Sequence, residues 1–308
     1  MTDAVLNLPR KRTLAPVLVA IALGGCATFS QDGGFGAVGR TTKERIGTEL
    51  KWAKTEADRA ALDKRVAELL GKPLSADDAV QIAVLNNQGL PAAFYELGIS
   101  EADLVQAGRL PNPTFSMLRA RHGGEFKIEQ AFTFNVFSLI TMPQVVAIEE
   151  RRFQQVQRAI TMETLSLAAE TRKAYYAAIA ADQTLSYMEQ VRRAAEAGAE
   201  LGRRMVQAGN WNKLQQAREQ GFYADAALNL ARARQMQTAA RETLIRLLGL
   251  WGDQTMFRLP ERLPDLPKAA NDLPDVEQVA MQQRLDVQAA KLDAEALAKN
   301  LGLTRTTR

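Results

Sequence analysis

The sequence predicts a mainly α-helical protein in which a two-stranded β-hairpin precedes a very long antiparallel helical hairpin. The first observation is the run Leu110-Pro111-Asn112-Pro113, where a helical pattern stops. Each of these prolines disfavours a helix and shifts the residue before it toward extended geometry. The second observation is an alternating strand pair after this run, and the third is a longer helical pattern that begins near Pro143. Few soluble folds require this order of elements.

The N-terminus reads as a lipoprotein signal peptide over residues 1–25. Arg10, Lys11 and Arg12 precede the apolar run from Leu14 to Leu23, which is shorter than the roughly 20 residues of a transmembrane helix. Cys26, the only cysteine, follows directly, as in a bacterial lipobox whose thiol becomes acylated. A covalent lipid on Cys26 is therefore expected and no other cofactor, although a lone cysteine can also be an inert buried thiol.

Residues 26–73 are predicted to be the lipidated N-terminus, a flexible glycine-rich tether from Gln31 to Gly39, and short polar helices. In the lipoproteins that the motif resembles, an aspartate after the cysteine favours retention in the inner membrane. Ala27 stands at that position here. Transfer to the outer membrane is therefore expected.

Charge and composition argue against nucleic-acid binding and against catalysis. The net charge of the chain is +4, and its basic residues are dispersed among acidic neighbours rather than forming a stripe with aromatic residues. His122 is the sole histidine and lies in a Gly-Gly turn, so no histidine or cysteine cluster can hold a transition metal. No phosphate-binding glycine loop is present in the sequence. A non-enzymatic protein is the expectation.

An upper helix is predicted over residues 74–110. Ser75 is a plausible N-cap, with Asp77 and Asp78 in the first turn. Apolar residues then recur with helical spacing, and Gly89-Leu90-Pro91 is expected to kink the helix.

Residues 111–142 are predicted to form a strand pair of a transmembrane β-barrel. One side of the second strand is apolar and the other is polar, which fits a barrel wall between lipid and water. An ordinary sandwich strand gives the same alternation, so the strands alone leave this open. The expected lipid-facing residues are Phe126, Ile128, Phe132, Phe134 and Val136, and the expected lumen-facing residues are Lys127, Glu129, Thr133 and Asn135.

A long helical hairpin is predicted over residues 143–250. The first helix runs from Pro143 to Ala208 without an internal proline, and the second from Lys213 to Leu248. Gly209 suits the left-handed position after the first helix, and Asn212 or Asn210 suits the N-cap of the second. Gly249 is expected to end the second helix after Leu248. The upper and returning helices together match the long helix in length, so they are expected to stack end to end beside it. A free antiparallel coiled coil is the plain alternative.

Four prolines mark residues 251–275 as an irregular linker. A helix predicted from Val276 to about Leu301 then echoes the upper helix, with Leu104 matched by Leu301. Residues 276–308 are therefore interpreted as the start of a second repeat, which is truncated at the end of the sequence.

Together these residues resemble the TolC family of outer-membrane efflux proteins, of the lipoprotein type. The resemblance rests on the Leu110-Pro111-Asn112-Pro113 run, the strand pair, the long helix, the Ala208-Gly209-Asn210 tip and the segment from Leu244 to Leu250. It covers residues 74–308 and implies that the chain is the first half of a duplicated α-barrel and β-barrel protomer.

The family resemblance implies a passive conduit in the outer membrane that works as a homotrimer with a periplasmic adaptor and an inner-membrane transporter. The implied adaptor contact is the helical tip, formed by Gly209, Asn210, Trp211, Asn212 and Leu214. An alternative is a periplasmic adaptor lipoprotein, which also carries a coiled-coil hairpin. That alternative predicts small β-rich segments on both sides of the hairpin, whereas the flanks here are mainly helical.

Overall fold

The computed structural model describes residues 28–269 and 274–307. The predicted signal peptide and Cys26 lie outside these ranges. Within them the chain is mainly helical, with one two-stranded antiparallel sheet, so the predicted fold class is confirmed. The elements are α1 Phe35–Ile46, α2 Glu56–Leu70, α3 Ala76–Asn86, α4 Gly89–Ala107, β1 Thr114–His122, β2 Glu125–Thr133, α5 Val136–Gln207, α6 Lys213–Leu248, α7 Val276–Gln283 and α8 Leu285–Thr307.

The chain divides into two compact units. The first, here called the hairpin unit, holds the described residues up to Gly34, Glu96–Gln157 and those from Val287 onward, and it contains the β-hairpin. The second, here called the core unit, holds Phe35–Tyr95 and Arg158–Asp286.

The hydrophobic core of the core unit joins four helices. Its members come from α2, α3, the middle of α5 and the end of α6, and they include the fully buried Ile82, Leu244 and Leu248. Tyr175 of α5 donates its hydroxyl to the carbonyl of Leu74 at 2.8 Å. Burial of this apolar surface stabilises the packing of α3 and the end of α6 against α5.

The upper helix is not continuous, in contrast to the prediction over residues 74–110. It consists of α3 and α4, separated by Asn87 in an extended conformation and Gln88. Pro91 lies in the first turn of α4, where its missing N–H needs no helical partner. The α3 start is as predicted, because Ser75 and Asp78 form a reciprocal capping box.

The long helix begins earlier than predicted. It begins at Val136, not near Pro143, and the proline lies inside its second turn. The side-chain oxygen of Asn135 accepts a hydrogen bond from the backbone N–H of Ser138 at 3.2 Å, which makes Asn135 the N-cap. The strand β2 ends at Thr133, so the extended run is shorter than the alternating sequence pattern.

The glycine-rich segment from Gln31 to Gly39 is not a flexible tether throughout. Helix α1 includes Gly36 and Gly39. The ring of Phe35 packs edge-on against buried Phe94, with 5.1 Å between centroids, and also contacts Trp52. This aromatic packing favours ordering of the segment over the freedom that its glycines would allow.

The helix predicted from Val276 to Leu301 is also interrupted. Arg284 is extended between α7 and α8, and its guanidinium donates to the carboxylate of Asp286 in the first turn of α8. In the described part of the linker before α7, a short 3-10 turn at Gly252–Thr255 is followed by irregular chain.

Candidate membrane hairpin and helical tip

The strands β1 and β2 pair in antiparallel register around the turn at Gly123 and Gly124, both of which have positive φ angles. Thr114 opposes Thr133 at the open end, and Arg121 opposes Phe126 near the turn. All the described side chains of the two strands are exposed to solvent. A two-stranded sheet with no buried face is only marginally stable in water, so this hairpin needs contacts with another molecule or with lipid to be stable.

The register sorts the hairpin into two faces. Because strand side chains alternate, residues in cross-strand pairs share a face. One face, here called the aromatic face, carries Phe115, Met117, Arg119 and Arg121 from β1, and Phe126, Ile128, Gln130 and Phe132 from β2. The opposite face, here called the polar face, carries Thr114, Ser116, Leu118, Ala120, Lys127, Glu129, Ala131 and Thr133.

On the polar face, the ammonium of Lys127 forms an ion pair with the carboxylate of Glu129. On the aromatic face, Phe132 is 69% exposed and its cross-strand neighbour Phe115 is 62% exposed. Exposed aromatic surface of this extent marks an interaction surface. The structure thus brings together the predicted Phe126, Ile128 and Phe132 on one face, and Lys127, Glu129 and Thr133 on the other.

Three residues predicted to belong to the strand lie outside it. Phe134 and Asn135 form the connection to α5, and Val136 is the first residue of that helix. The cause is the Asn135 cap, which begins the helix. Phe134 and Val136 remain exposed, and the exposed apolar surface continues along α5 to Phe137 and Ile140. The exposed apolar surface from Phe126 to Ile140, here called the apolar zone, is therefore longer than the strand β2.

The helical tip reverses the chain between α5 and α6 with two standard caps. Gly209 has a φ of 78° and follows α5, and the N–H of Asn210 donates to the carbonyl of Met205 at 2.9 Å. Asn212 is the N-cap of α6, and its side chain and that of Gln215 form a reciprocal capping box. The sequence prediction of the turn is confirmed, with Asn212 rather than Asn210 as the cap.

Trp211 and Leu214 differ in their environments at the tip. The Trp211 ring is half-buried over Gly202, where an added Cβ would lie 3.2 Å from ring atom Cζ3. Leu214 is 61% exposed, and Leu201 on the adjacent helix is 54% exposed. Trp211 therefore packs the turn, whereas Leu214 and Leu201 offer apolar contact surface.

A charged cluster lies one to two turns before the tip. The guanidinium of Arg203 donates two hydrogen bonds of 2.8 Å to Glu200, and Arg204 donates a third. These hydrogen bonds lower the pKa of Glu200 to about 2. The stability that they add is present above the ordinary pKa of a glutamate and is lost as the pH falls toward 2, and it is small because these ion pairs lie at the protein surface.

The meeting of α3 with the end of α6, here called the asparagine junction, was not predicted from the sequence. The amide of Asn86 donates to the carbonyls of Leu248 at 3.0 Å and Gly249 at 2.8 Å. The amide of Asn87 donates to the carbonyl of Leu247 at 3.1 Å. These asparagines satisfy carbonyl groups that the helix end leaves without partners.

A second unpredicted contact fixes the chain just after the N-terminal residues. The buried carboxylate of Glu101 on α4 accepts hydrogen bonds from the backbone N–H of Ser30, at 2.7 Å, and from the hydroxyl of Ser30. Gln157 of α5 donates to the carbonyl of Gly34 at 3.2 Å. Residues 30–34 are thus held at one end by α4 and at the other by α5.

Two other features are absent from the described part of the chain. No group of three histidine, cysteine, aspartate or glutamate residues among them could hold a metal ion. None of the described helices has a stretch that is both long and apolar enough to cross a membrane.

Comparison with known proteins identifies the fold. The sequence matches no family model and no curated protein, but solved structures align with it well. The Campylobacter jejuni CmeC outer membrane channel aligns with 98% of this chain, at a TM-score of 0.63 and 16% identity. A membrane protein from Pseudomonas aeruginosa aligns with 75% of it, at 0.63 and 19% identity. The chain has the fold of the TolC-type outer-membrane channels.

The likeness extends to a third solved structure, that of CusC, a protein that forms a transmembrane channel. It aligns with 75% of this chain at a TM-score of 0.62 and 16% identity. The chain spans 61% of the length of CmeC, 57% of the Pseudomonas aeruginosa protein and 56% of CusC. The resemblance that the sequence carried is confirmed at the level of the fold.

Proposed function

We propose that this chain is the outer-membrane channel component of a tripartite efflux or export system. It is a passive conduit for substrates that an inner-membrane pump delivers through a periplasmic adaptor. One observation carries the proposal: the β-hairpin exposes an aromatic face opposite a polar face, in a chain with the fold of solved outer-membrane channels. No covalent chemistry is needed for such a role.

In this proposal the aromatic face contacts lipid and the polar face lines water. Phe126, Ile128 and Phe132 are exposed to solvent, and lipid would remove them from water. Lys127, Glu129 and Thr133 would be hydrated in the lumen, where charges are tolerated. Asn135 would lie at the inner end of the lumen, next to the start of α5.

Assembly with further copies follows from the free strand edges. In the described sheet, β1 pairs only with β2, so each strand has one edge without partners. Unpaired strand edges in lipid are too costly to occur, and a closed barrel removes them. A homotrimer is the proposed assembly, by analogy with the family that the sequence resembles.

The helical tip is the proposed periplasmic entrance and adaptor contact. Gly209, Asn210 and Asn212 shape the turn, and Leu214 supplies exposed apolar surface beside it. A helical partner would bury this surface, which is the usual source of affinity at such contacts.

The N-terminal lipid is a separate proposal, with its own test. Cys26→Ala should abolish incorporation of labelled palmitate into the protein, because the thiol is the acceptor of the acyl chain. Metabolic labelling followed by immunoprecipitation would measure this. Thr28→Ala is the matched control, since it also alters a small residue near the N-terminus but leaves the thiol in place. Equal labelling of the Cys26→Ala protein would contradict the lipidation.

The channel proposal predicts which ends of the chain face the cell exterior. In a background with Cys26 retained, Glu125→Cys at the strand turn should react with a membrane-impermeant maleimide in intact cells. Asn210→Cys at the helical tip should react only after the outer membrane is permeabilised. The reason is that the outer membrane would keep the reagent away from the helical tip but not from the strand turn.

The same experiment separates the channel from the alternative adaptor lipoprotein. An adaptor would lie wholly in the periplasm, so neither introduced cysteine would react in intact cells. Labelling of Asn210→Cys without permeabilisation would also contradict the proposed orientation. The unsubstituted chain controls for any reaction at Cys26.

A further inference from the structure

Two arginines interrupt the aromatic face close to its turn. Arg121 opposes Phe126 in the register, and Arg119 opposes Ile128. Both guanidinium groups lie over the Phe126 ring, with 4.7 Å from Arg119 Cζ to the ring centroid and 5.1 Å from Arg121 Cζ. Stacking of this kind stabilises a cation and fixes its position.

These arginines have no acidic partner on their own face. No ion pair involves either of them among the described residues, whereas Lys127 is paired with Glu129 on the polar face. Both side chains are exposed. The turn-proximal end of the aromatic face therefore presents two guanidinium groups with free hydrogen-bond donors and no compensating negative charge.

The two arginines lie at the end of the apolar zone that is nearest the strand turn. From the row of Ile128 toward the open end, the face continues with the pair of Met117 and Gln130 and then the pair of Phe115 and Phe132. A guanidinium in hydrocarbon is costly, so a lipid-facing surface with arginines at one end is best placed with that end in the headgroup layer. There the nearest anions are the phosphates of the lipids, which a guanidinium binds bidentately.

We propose that Arg119 and Arg121, held over Phe126, form a site for the phosphate group of a membrane lipid at the surface beside the strand turn. The site rests on the proposed function, because it requires the aromatic face to contact lipid. It adds to that function a headgroup-selective contact that fixes the depth of the hairpin in the membrane.

The test uses the purified full chain and two kinds of vesicle, one of phosphatidylcholine alone and one that also contains phosphatidic acid. Insertion is read from an environment-sensitive fluorophore on a cysteine introduced by Met117→Cys, on the aromatic face. The wild-type residues at 119 and 121 should give tighter partitioning into the vesicles with phosphatidic acid. Arg119→Gln or Arg121→Gln should each weaken that preference about fivefold, and the double variant about 25-fold.

Lys127→Gln is the matched control, because it removes one cation from the same hairpin on the opposite face. It should retain the preference for phosphatidic acid. Equal loss in Lys127→Gln would overturn the site, since the effect would then be one of net charge. Insertion into both vesicles without any preference would overturn the site but leave the channel proposal intact. No insertion into either vesicle would overturn both.

Discussion

Replacing Gly249 with alanine is expected to destabilise the core unit by about 3 kcal/mol, for two reasons that add. Gly249 has a φ of 66°, a left-handed conformation that disfavours any side chain with a Cβ. An added Cβ would also lie 2.5 Å from the carbonyl oxygen of Asn86 and 3.2 Å from the Cα of Asn87. Both are backbone atoms of the asparagine junction, so relief of the clash must separate α3 from the end of α6.

Gly252 provides the matched control for this prediction. Its φ is 57°, and no atom lies within 4 Å of an added Cβ. Gly252→Ala should therefore incur only the backbone penalty of about 1 kcal/mol. Chemical denaturation of the purified full chain, followed by circular dichroism, would compare the two variants. Equal destabilisation would show that the contact of Gly249 with Asn86 adds nothing.

The caps of the helices could be predicted from the sequence, whereas the contacts of the asparagine junction could not. Gly209, Asn212 and Gly249 were predictable as caps because cap signals are local and involve residues within one turn. The break between α3 and α4 has a different origin, since the amides of Asn86 and Asn87 bind carbonyls about 160 positions later in the chain. No local pattern encodes such a contact. The contact between Ser30 and Glu101 was missed for the same reason.

The predicted start of α5 near Pro143 is wrong for another reason, because the sequence does contain a local signal for the true start. Asn135 is a strong N-cap residue, and the alternation that continued through Phe134 and Val136 outweighed it in the prediction. Exposed apolar residues beyond the cap gave the pattern of a longer strand. In the structure, Phe134 and Val136 extend the apolar zone into the helix. The alternation of apolar and polar residues therefore marked an exposed apolar surface and not the backbone conformation of a strand.

The second large effect is expected at Phe132, near the middle of the apolar zone. Phe132 lies about 13 Å along the strand from Ile128, the row of the first arginine, and about 17 Å along the chain from Ile140 on α5. Phe132→Arg should therefore reduce the stability of the membrane-inserted protein by about 2–4 kcal/mol. It would also remove the cross-strand contact with Phe115.

Thr133→Arg is the matched control, because it places the same side chain one residue further on, on the polar face. In water this arginine would be tolerated, and insertion should be close to that of the unsubstituted chain. Recovery of each full-length variant in the outer-membrane fraction, with denaturant unfolding in vesicles, measures both. If Thr133→Arg fails and Phe132→Arg inserts, the two faces are assigned the wrong way round. If both variants are recovered equally well and unfold alike, the aromatic face does not contact lipid, and another protein would then be the partner that covers it.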